Sequence, residues 1–474
     1  MKKVLYTVAA LGLVAGIATS ASALELKVKG TYAVDGFYMD NSAGAAAINS
    51  VDAATSGGGK GLQLASNPGQ ETYSDAWLQH MFNIEAEMVV NDKISMMSRV
   101  RLIGLGTVWG AQDDTNVQNG NSMSIERLWM VYKSPIGVWE IGRRSAGGWG
   151  LSFVDTATAG DRIYWKSGKL FGDVFSTYAY YEKMVEGEAY LGNTAKLDSD
   201  YYEAGATLNG GWGTATLAYG LKQDNTKNSD DSPALTVWNS NPATGAIVPT
   251  LFPAVNGYEI NGHRIRGVGQ FKLGGNMGLD TEFDYKFGDK DFNHNTLTIR
   301  DQDISQLAFI VDFNATMAAL TGHAMYFHTS GDDNAKDTDL ESYGSTGWDF
   351  EPLYILTGTF GNILNNYQGA TSAFGTAAQT AGVNAGVLST DFAATQDLTL
   401  HGAIAYAVAD KEMAGWDNEY GFEYNAGAAY RLLDNLIYAV HLGYLDTGDF
   451  FKLGGKYKDT NSIFLASHHL TMSF

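Results

Sequence analysis

The chain ends Phe464-Leu465-Ala466-Ser467-His468-His469-Leu470-Thr471-Met472-Ser473-Phe474. Phe464, Ala466, His468, Leu470, Met472 and Phe474 fall on one face, and Ser467, His469, Thr471 and Ser473 on the other. A two-residue period is that of a β-strand. One apolar face, one polar face and a terminal aromatic fit the closing strand of an outer-membrane β-barrel. Its outward side chains meet lipid and its inward ones meet water. On this reading Phe474 is the barrel assembly signal.

The other end supports the same compartment. Met1-Lys2-Lys3 precedes an apolar run from Val4 to about Ala18, then Ala21-Ser22-Ala23. A basic head, a short apolar stretch and a small-x-small site describe a secretory signal peptide over 1–23, leaving 24–474 as the mature barrel. The run is too short for a spanning helix, and no later stretch is long and apolar enough for one.

Composition narrows the classes further. The chain has no cysteine, so disulfides and thiolate metal sites are excluded, and no cofactor or metal motif is present. Its 56 glycines and 26 tyrosines suit tight turns and interfacial aromatic belts. Seven prolines, Pro68, Pro135, Pro233, Pro242, Pro249, Pro253 and Pro352, all fall outside the strands read from the pattern. The net charge of −21 argues against a nucleic-acid partner. Acidic pairs such as Asp113-Asp114 and Asp332-Asp333 belong to surface loops, which stay hydrated or bridge lipopolysaccharide through divalent cations.

The same grammar repeats along the chain. Leu24, Leu26, Val28, Gly30, Tyr32 and Val34 form an outward row. Leu78, His80, Phe82, Ile84, Ala86 and Met88 oppose Gln79, Asn83, Glu85 and Glu87. Tyr420, Phe422, Tyr424, Ala426, Ala428 and Tyr430 oppose Glu419, Glu423, Asn425 and Arg431. Eight short turns are predicted near 91–93, 134–137, 168–172, 209–213, 274–276, 314–316, 395–397 and 433–435. Nine long loops are predicted near 41–75, 109–122, 145–161, 184–199, 222–257, 288–302, 329–378, 410–418 and 447–460. This predicts an all-β transmembrane antiparallel β-barrel of eighteen strands, with short periplasmic turns and long external loops. Sixteen strands stay open, because the Gly/Ala/Asn-rich stretch 329–393 can lack a hairpin. A soluble sandwich accounts poorly for so many one-sided strands.

The stretch 125–182 resembles the general Gram-negative porins. It reads IERLWMVYKSPIGVWEIGRR over 125–144 and, after a loop, DRIYWKSGKLFGDVFSTYAYYE over 161–182. A strand with an arginine, a turn, a strand ending Gly142-Arg143, a loop and an Arg162–Tyr164 strand follow the family order. The resemblance implies a passive channel in the bacterial outer membrane, a homotrimer, and a 145–161 loop that folds into the pore. Two departures stand out: that loop is short, and eighteen strands look more like the substrate-specific porins.

The resemblance also implies a constriction with arginines on the wall facing acids on the infolded loop. Arg99, Arg101, Arg127, Arg143, Arg144 and Arg162 are the basic candidates, with only one of Arg143 and Arg144 expected to point inward. Asp155 and Asp161 are the acidic ones, and Trp149 and Phe153 are candidate anchors for the loop. A plainer reading makes some of these charges wall pairs: hairpin symmetry sets Glu85 opposite Arg99 and Asp284 opposite Arg266, with Arg264 nearby. His80 and His468 fall on outward rows flanking the closure point, where polar groups facing hydrocarbon are costly. They mark a subunit interface, a position near the membrane surface, or a register one residue off. Ala403, Ala405 and Ala407 on one inward row suggest a lumen that is not filled everywhere. The expected function is passive diffusion of ions and small hydrophilic solutes. A substrate-selective channel or a sheath for a partner protein is the alternative. No catalytic constellation appears, so enzyme activity is not expected.

Overall fold

The computed structural model describes residues 25–42, 62–69, 73–109, 124–145, 149–155, 159–187, 197–228, 235–240, 247–252, 257–294, 300–332, 334, 337–344, 346–347, 349–358, 363–366, 381–412 and 415–474. The expected signal peptide lies outside these residues.

Alternating side chains and two-sided polarity produce eighteen barrel strands. They are β1 (Glu25–Ser42), β2 (Tyr73–Asn91), β3 (Ile94–Val108), β4 (Ser124–Ser134), β5 (Gly137–Ser145) and β6 (Ala159–Lys166). Next come β7 (Phe175–Val185), β8 (Ser199–Gly210), β9 (Gly213–Asp224), β10 (Tyr258–Gly274), β11 (Met277–Phe292) and β12 (Gln302–Met317). The last are β13 (Leu320–Thr329), β14 (Val383–Ala393), β15 (Leu398–Val408), β16 (Glu419–Leu433), β17 (Leu436–Thr447) and β18 (Ile463–Ser473). Each pairs antiparallel with its sequence neighbours, and β1 pairs with both β2 and β18, so the sheet closes. Sixteen strands are thereby excluded: 330–382 is a single connection between the paired strands β13 and β14.

Short turns and long connections alternate as expected, with one shift. The turn expected at 314–316 lies at 318–319. Asn314 and Thr316 stay in the ladder because their side chains bond across it, Asn314 Nδ2 to Asp280 Oδ2 at 3.2 Å and Thr316 Oγ1 to Thr321 Oγ1 at 3.1 Å. Ala318 takes the left-handed backbone instead, at φ 54°. The described prolines Pro68, Pro135, Pro249 and Pro352 avoid the barrel strands, while Pro233, Pro242 and Pro253 lie outside the described residues; Pro249 sits in a small hairpin, where Ile247–Phe252 pairs with Leu235–Ser240.

The outward rows are apolar and bare. Ile125 is 63 % exposed, Leu388 60 % and Leu217 59 %. A soluble sandwich would bury such a band, whereas lipid covers it here. On β16 the outward row runs from Phe422 to Tyr430, eight positions or roughly 26 Å along the strand. Allowing for strand tilt, that spacing suits two aromatic belts flanking a hydrocarbon layer.

Among several register shifts in the ladder, two bulges re-aim side chains that matter to the lumen. Ile125 and Leu128 both face out, so Glu126 and Arg127 between them both face in. At Gly421, φ 124°, a second bulge turns Tyr420 inward. Tyr420, expected outward, is fully buried and donates to the Gly382 carbonyl at 2.9 Å. An inserted residue reverses every side chain beyond it, so a strict two-residue reading fails past each bulge.

At the closure, Phe474 N–H donates to Gly30 O at 3.0 Å and Gly30 N–H to Phe474 O at 2.8 Å. The Phe474 ring lies 6.4 Å from that of Phe82. Replacing Phe474 by Ala is expected to lower the folded, heat-modifiable fraction on unboiled gels. Unchanged folding yield would remove Phe474 from barrel closure.

Candidate functional site: the lumen and its infolded segments

Residues 149–155 cross the lumen. Leu151 N–H donates to Glu282 Oε2 on β11 at 2.8 Å. The approach is close: at Gly150, φ 75°, an added Cβ would lie 2.2 Å from Glu282 Oε1, so only glycine fits. Trp149 Nε1 donates to the Tyr178 hydroxyl on β7 at 2.7 Å, and the Arg266 guanidinium lies 3.9 Å over the Trp149 ring. Trp149 therefore touches the wall. Phe153 packs instead on Phe327 of β13 and on Phe350, with ring centroids 5.9 and 4.9 Å away.

Phe350 belongs to a second infolded segment that the sequence reading missed. Phe350, Leu353, Ile355, Leu356, Ile363 and Leu364 form one cluster with the inward Ala385, Val387, Ala405 and Ala407. The small side chains on β14 and β15 make room for this segment. Of the three alanines expected to border open lumen, Ala405 is 2 % exposed and Ala407 0 %, and Ala403 is half-buried against the same cluster. Glu423 on β16 holds the segment, accepting N–H bonds from Tyr354, Ile355 and Leu356 at 2.9, 2.8 and 2.7 Å. A buried carboxylate is tolerable when its oxygens are saturated in this way. Tyr343, from the same connection, donates to Asp284 on β11. Burial, reinforced by that carboxylate, pushes the Tyr343 phenol well above its ordinary range, so it keeps its proton.

The wall charges form two groups. On β3 and β4, Glu126 lies 3.3 Å from Arg99, 3.1 Å from Arg101 and 3.9 Å from Arg127. Glu85, opposite Arg99 in the ladder, lies 3.8 Å from it and 2.8 Å from Lys29. Four cations thus share two carboxylates. Nearby Arg144 pairs with Glu140 at 2.6 Å and lies over Tyr164, while Arg162 pairs with Glu182 at 2.6 Å and lies over Tyr180. Asp284 does lie opposite Arg266, yet its ion partner is the diagonal Arg264, at 2.8 and 2.6 Å through two nitrogens. Arg266 reaches the other way, to Glu203 at 2.5 Å, where the Tyr178 and Tyr201 hydroxyls also donate.

Other candidates lie apart from these. Arg143 and Asp161 pair with each other at 3.2 Å on the outward face, their side chains 51 and 57 % exposed. Asp161 belongs to β6 rather than to the loop, and alternation on β5 and β6 carries both side chains away from the lumen. Asp155 accepts a bond from Trp149 N–H at 3.3 Å and borders a lumenal cavity with Arg162, Arg264 and Arg266. Glu126 was missed because strict alternation sends it toward lipid; its charge beside Arg127 was the available signal for a bulge. His80 and His468 occupy the outward rows, which removes the displaced-register reading. The His468 ring lies against Gly36, and His80 Nδ1 is 3.5 Å from the Tyr32 hydroxyl.

No protein-family model matches this sequence, and no curated protein matches it. Solved structures of similar shape include the outer membrane channel DcaP of Acinetobacter baumannii, at 12 % identity and TM-score 0.44 over 97 % of this chain and 100 % of that one. OccK3 (OpdO) of Pseudomonas aeruginosa is at 12 % and 0.49 over 94 and 96 %. A BenF-like porin from Pseudomonas fluorescens Pf-5 is at 12 % and 0.46 over 94 and 99 %.

Replacing Glu423 by Ala leaves three N–H donors without their acceptor, each costing about 1–3 kcal/mol. The expected result is new proteolytic cleavage between 349 and 366 while the barrel keeps its heat-modifiable migration. A variant with wild-type protease resistance would show that Glu423 does not hold the segment.

Proposed function

We propose that the chain is an outer-membrane porin, a water-filled channel for passive diffusion of ions and small hydrophilic solutes. The observation that carries this reading is a closed barrel with an apolar outer band and a charged, arginine-rich inner wall. The two infolded segments pack mainly against β10–β18. The hydrated path then follows β3–β7, past Arg99, Arg101, Arg127, Arg144 and Arg162, with Asp155 on the facing segment. A pore lined in this way selects solutes by width and by local charge. It performs no bond chemistry. The occupancy of the lumen by two segments rather than one favours a second reading, in which the same channel is selective for particular solutes.

The outer surface at the closure suits assembly into a homotrimer. Small side chains at Gly36, Ala76 and Ala466 leave a trough bordered by Tyr38, Trp109 and His468. A polar ring facing hydrocarbon is costly, and a neighbouring subunit removes that cost.

Purified protein in a planar bilayer under a KCl gradient tests the channel. Open steps in triplets are expected, and replacing Arg99, Arg101 and Arg127 together by Gln is expected to move the reversal potential toward cation preference. A folded barrel without conductance sinks the channel reading, and an unchanged reversal potential removes these arginines from the path. Crosslinking in native membranes tests assembly; a monomer band alone overturns the trimer.

A further inference from the structure

We infer that the lumen carries a second subsite, beneath the 349–358 segment, for small amine-bearing cations. It rests on the channel reading for the solute's access. The lysines and arginines of the barrel strands lie in β1–β11 with the sole exception of Arg431. On β12–β17 the inward charged groups toward the short turns are, Arg431 aside, carboxylates and histidines. There a cavity of about 440 Å³ is bordered by Asp312, His323, Asp391, His401, His441 and Tyr354, and among the described residues no lysine or arginine lines it. That volume holds a small organic solute.

The donor and acceptor balance defines the ligand. His323 Nδ1 lies 2.8 Å from Asp312 Oδ2, and His401 Nδ1 lies 2.9 Å from Asp391 Oδ1. A neutral imidazole donating from Nδ1 keeps Nε2 as an acceptor. The Asp312 side chain is nine-tenths buried, and its Oδ1 has no hydrogen-bond partner among the described residues. A buried carboxylate oxygen without a donor demands one. The Tyr354 ring, stacked on His441 at 4.4 Å and 5.8 Å from His401, adds an aromatic face. Glu351 also borders the cavity. Carboxylates, imidazole acceptors and an aromatic ring together select a positively charged N–H donor. The Asp391 side chain is 47 % exposed, so the subsite is open to the lumen.

The test is calorimetric titration of the folded barrel in detergent with 1,4-diaminobutane, alongside bilayer recordings with the same probe. Saturable binding of the diamine and none of 1,4-butanediol or succinate is expected. Asp312→Asn and Asp391→Asn should each weaken it by roughly tenfold or more, the scale of a lost charge-assisted bond. Asp391 is half-exposed, so its variant keeps the barrel packing even where Asp312→Asn impairs folding. Absence of diamine binding, or wild-type affinity in Asp391→Asn, overturns the subsite. Intact diamine binding in a barrel that passes no current overturns the channel reading and leaves the subsite standing.

Discussion

Everything in this molecule depends on the ladder between β1 and β18. Within a bilayer no water satisfies a free strand edge, so a spanning sheet must close on itself. The terminal strands do this in register from Thr31 opposite Ser473 to Met39 opposite Leu465, and Gly30 and Phe474 complete it with reciprocal bonds. Closure fixes which face of each strand meets lipid. It also fixes the two sides of the sheet, with the short turns at one end and the long connections at the other. Once that is settled, a side chain's parity decides whether it serves the outer surface or the lumen.

Parity then sets what the lumen must contain. Inward positions of β12–β15 toward the long connections include an apolar patch: Ala308, Ile310, Phe327, Ala385, Val387, Ala405 and Ala407. Such a wall exposed to water would forfeit its burial. The infolded segments supply the missing apolar surface, and two inward glutamates pin their backbones, Glu282 at Leu151 and Glu423 at 354–356. The pairing is mutual. The segments cover the wall's apolar patch, and the wall's carboxylates satisfy segment N–H groups that the lumen's occupant would otherwise deprive of water.

Much of this was legible in the sequence. Eighteen strands followed from the alternation of short turns and long loops, because a hairpin's turn chemistry and its two-residue period are both local. Glu85 and Arg99 fell opposite each other because they stand equally far from residue 92. The same arithmetic about residue 396 brings Asp391 opposite His401. The bulge at Gly421 and the turn at Ala318 were not legible, and the bulge at Glu126 was marked only by a charge beside Arg127. Each depends on one residue's backbone, which the pattern averages away. The second infolded segment was signalled only indirectly, by the small inward side chains Ala403, Ala405 and Ala407, which read as open lumen.

The distribution of charge joins these observations. Arginines and lysines concentrate on β1–β11, where many have a carboxylate or an aromatic ring within reach, as with Arg144 over Tyr164 and Arg162 over Tyr180. On β12–β18 histidines take their place, paired with Asp312, Asp391 and, at 2.9 Å from His469, Asp35. Guanidinium groups keep their charge at any physiological pH, while imidazoles titrate near it. The β1–β11 half of the wall therefore holds cations whose charge persists, each of the lumenal arginines beside a carboxylate. The half beneath the infolded segments holds net negative charge for as long as its histidines stay neutral. The barrel wall is thus divided between a half rich in guanidinium and ammonium groups and a half whose basic side chains are, Arg431 aside, imidazoles.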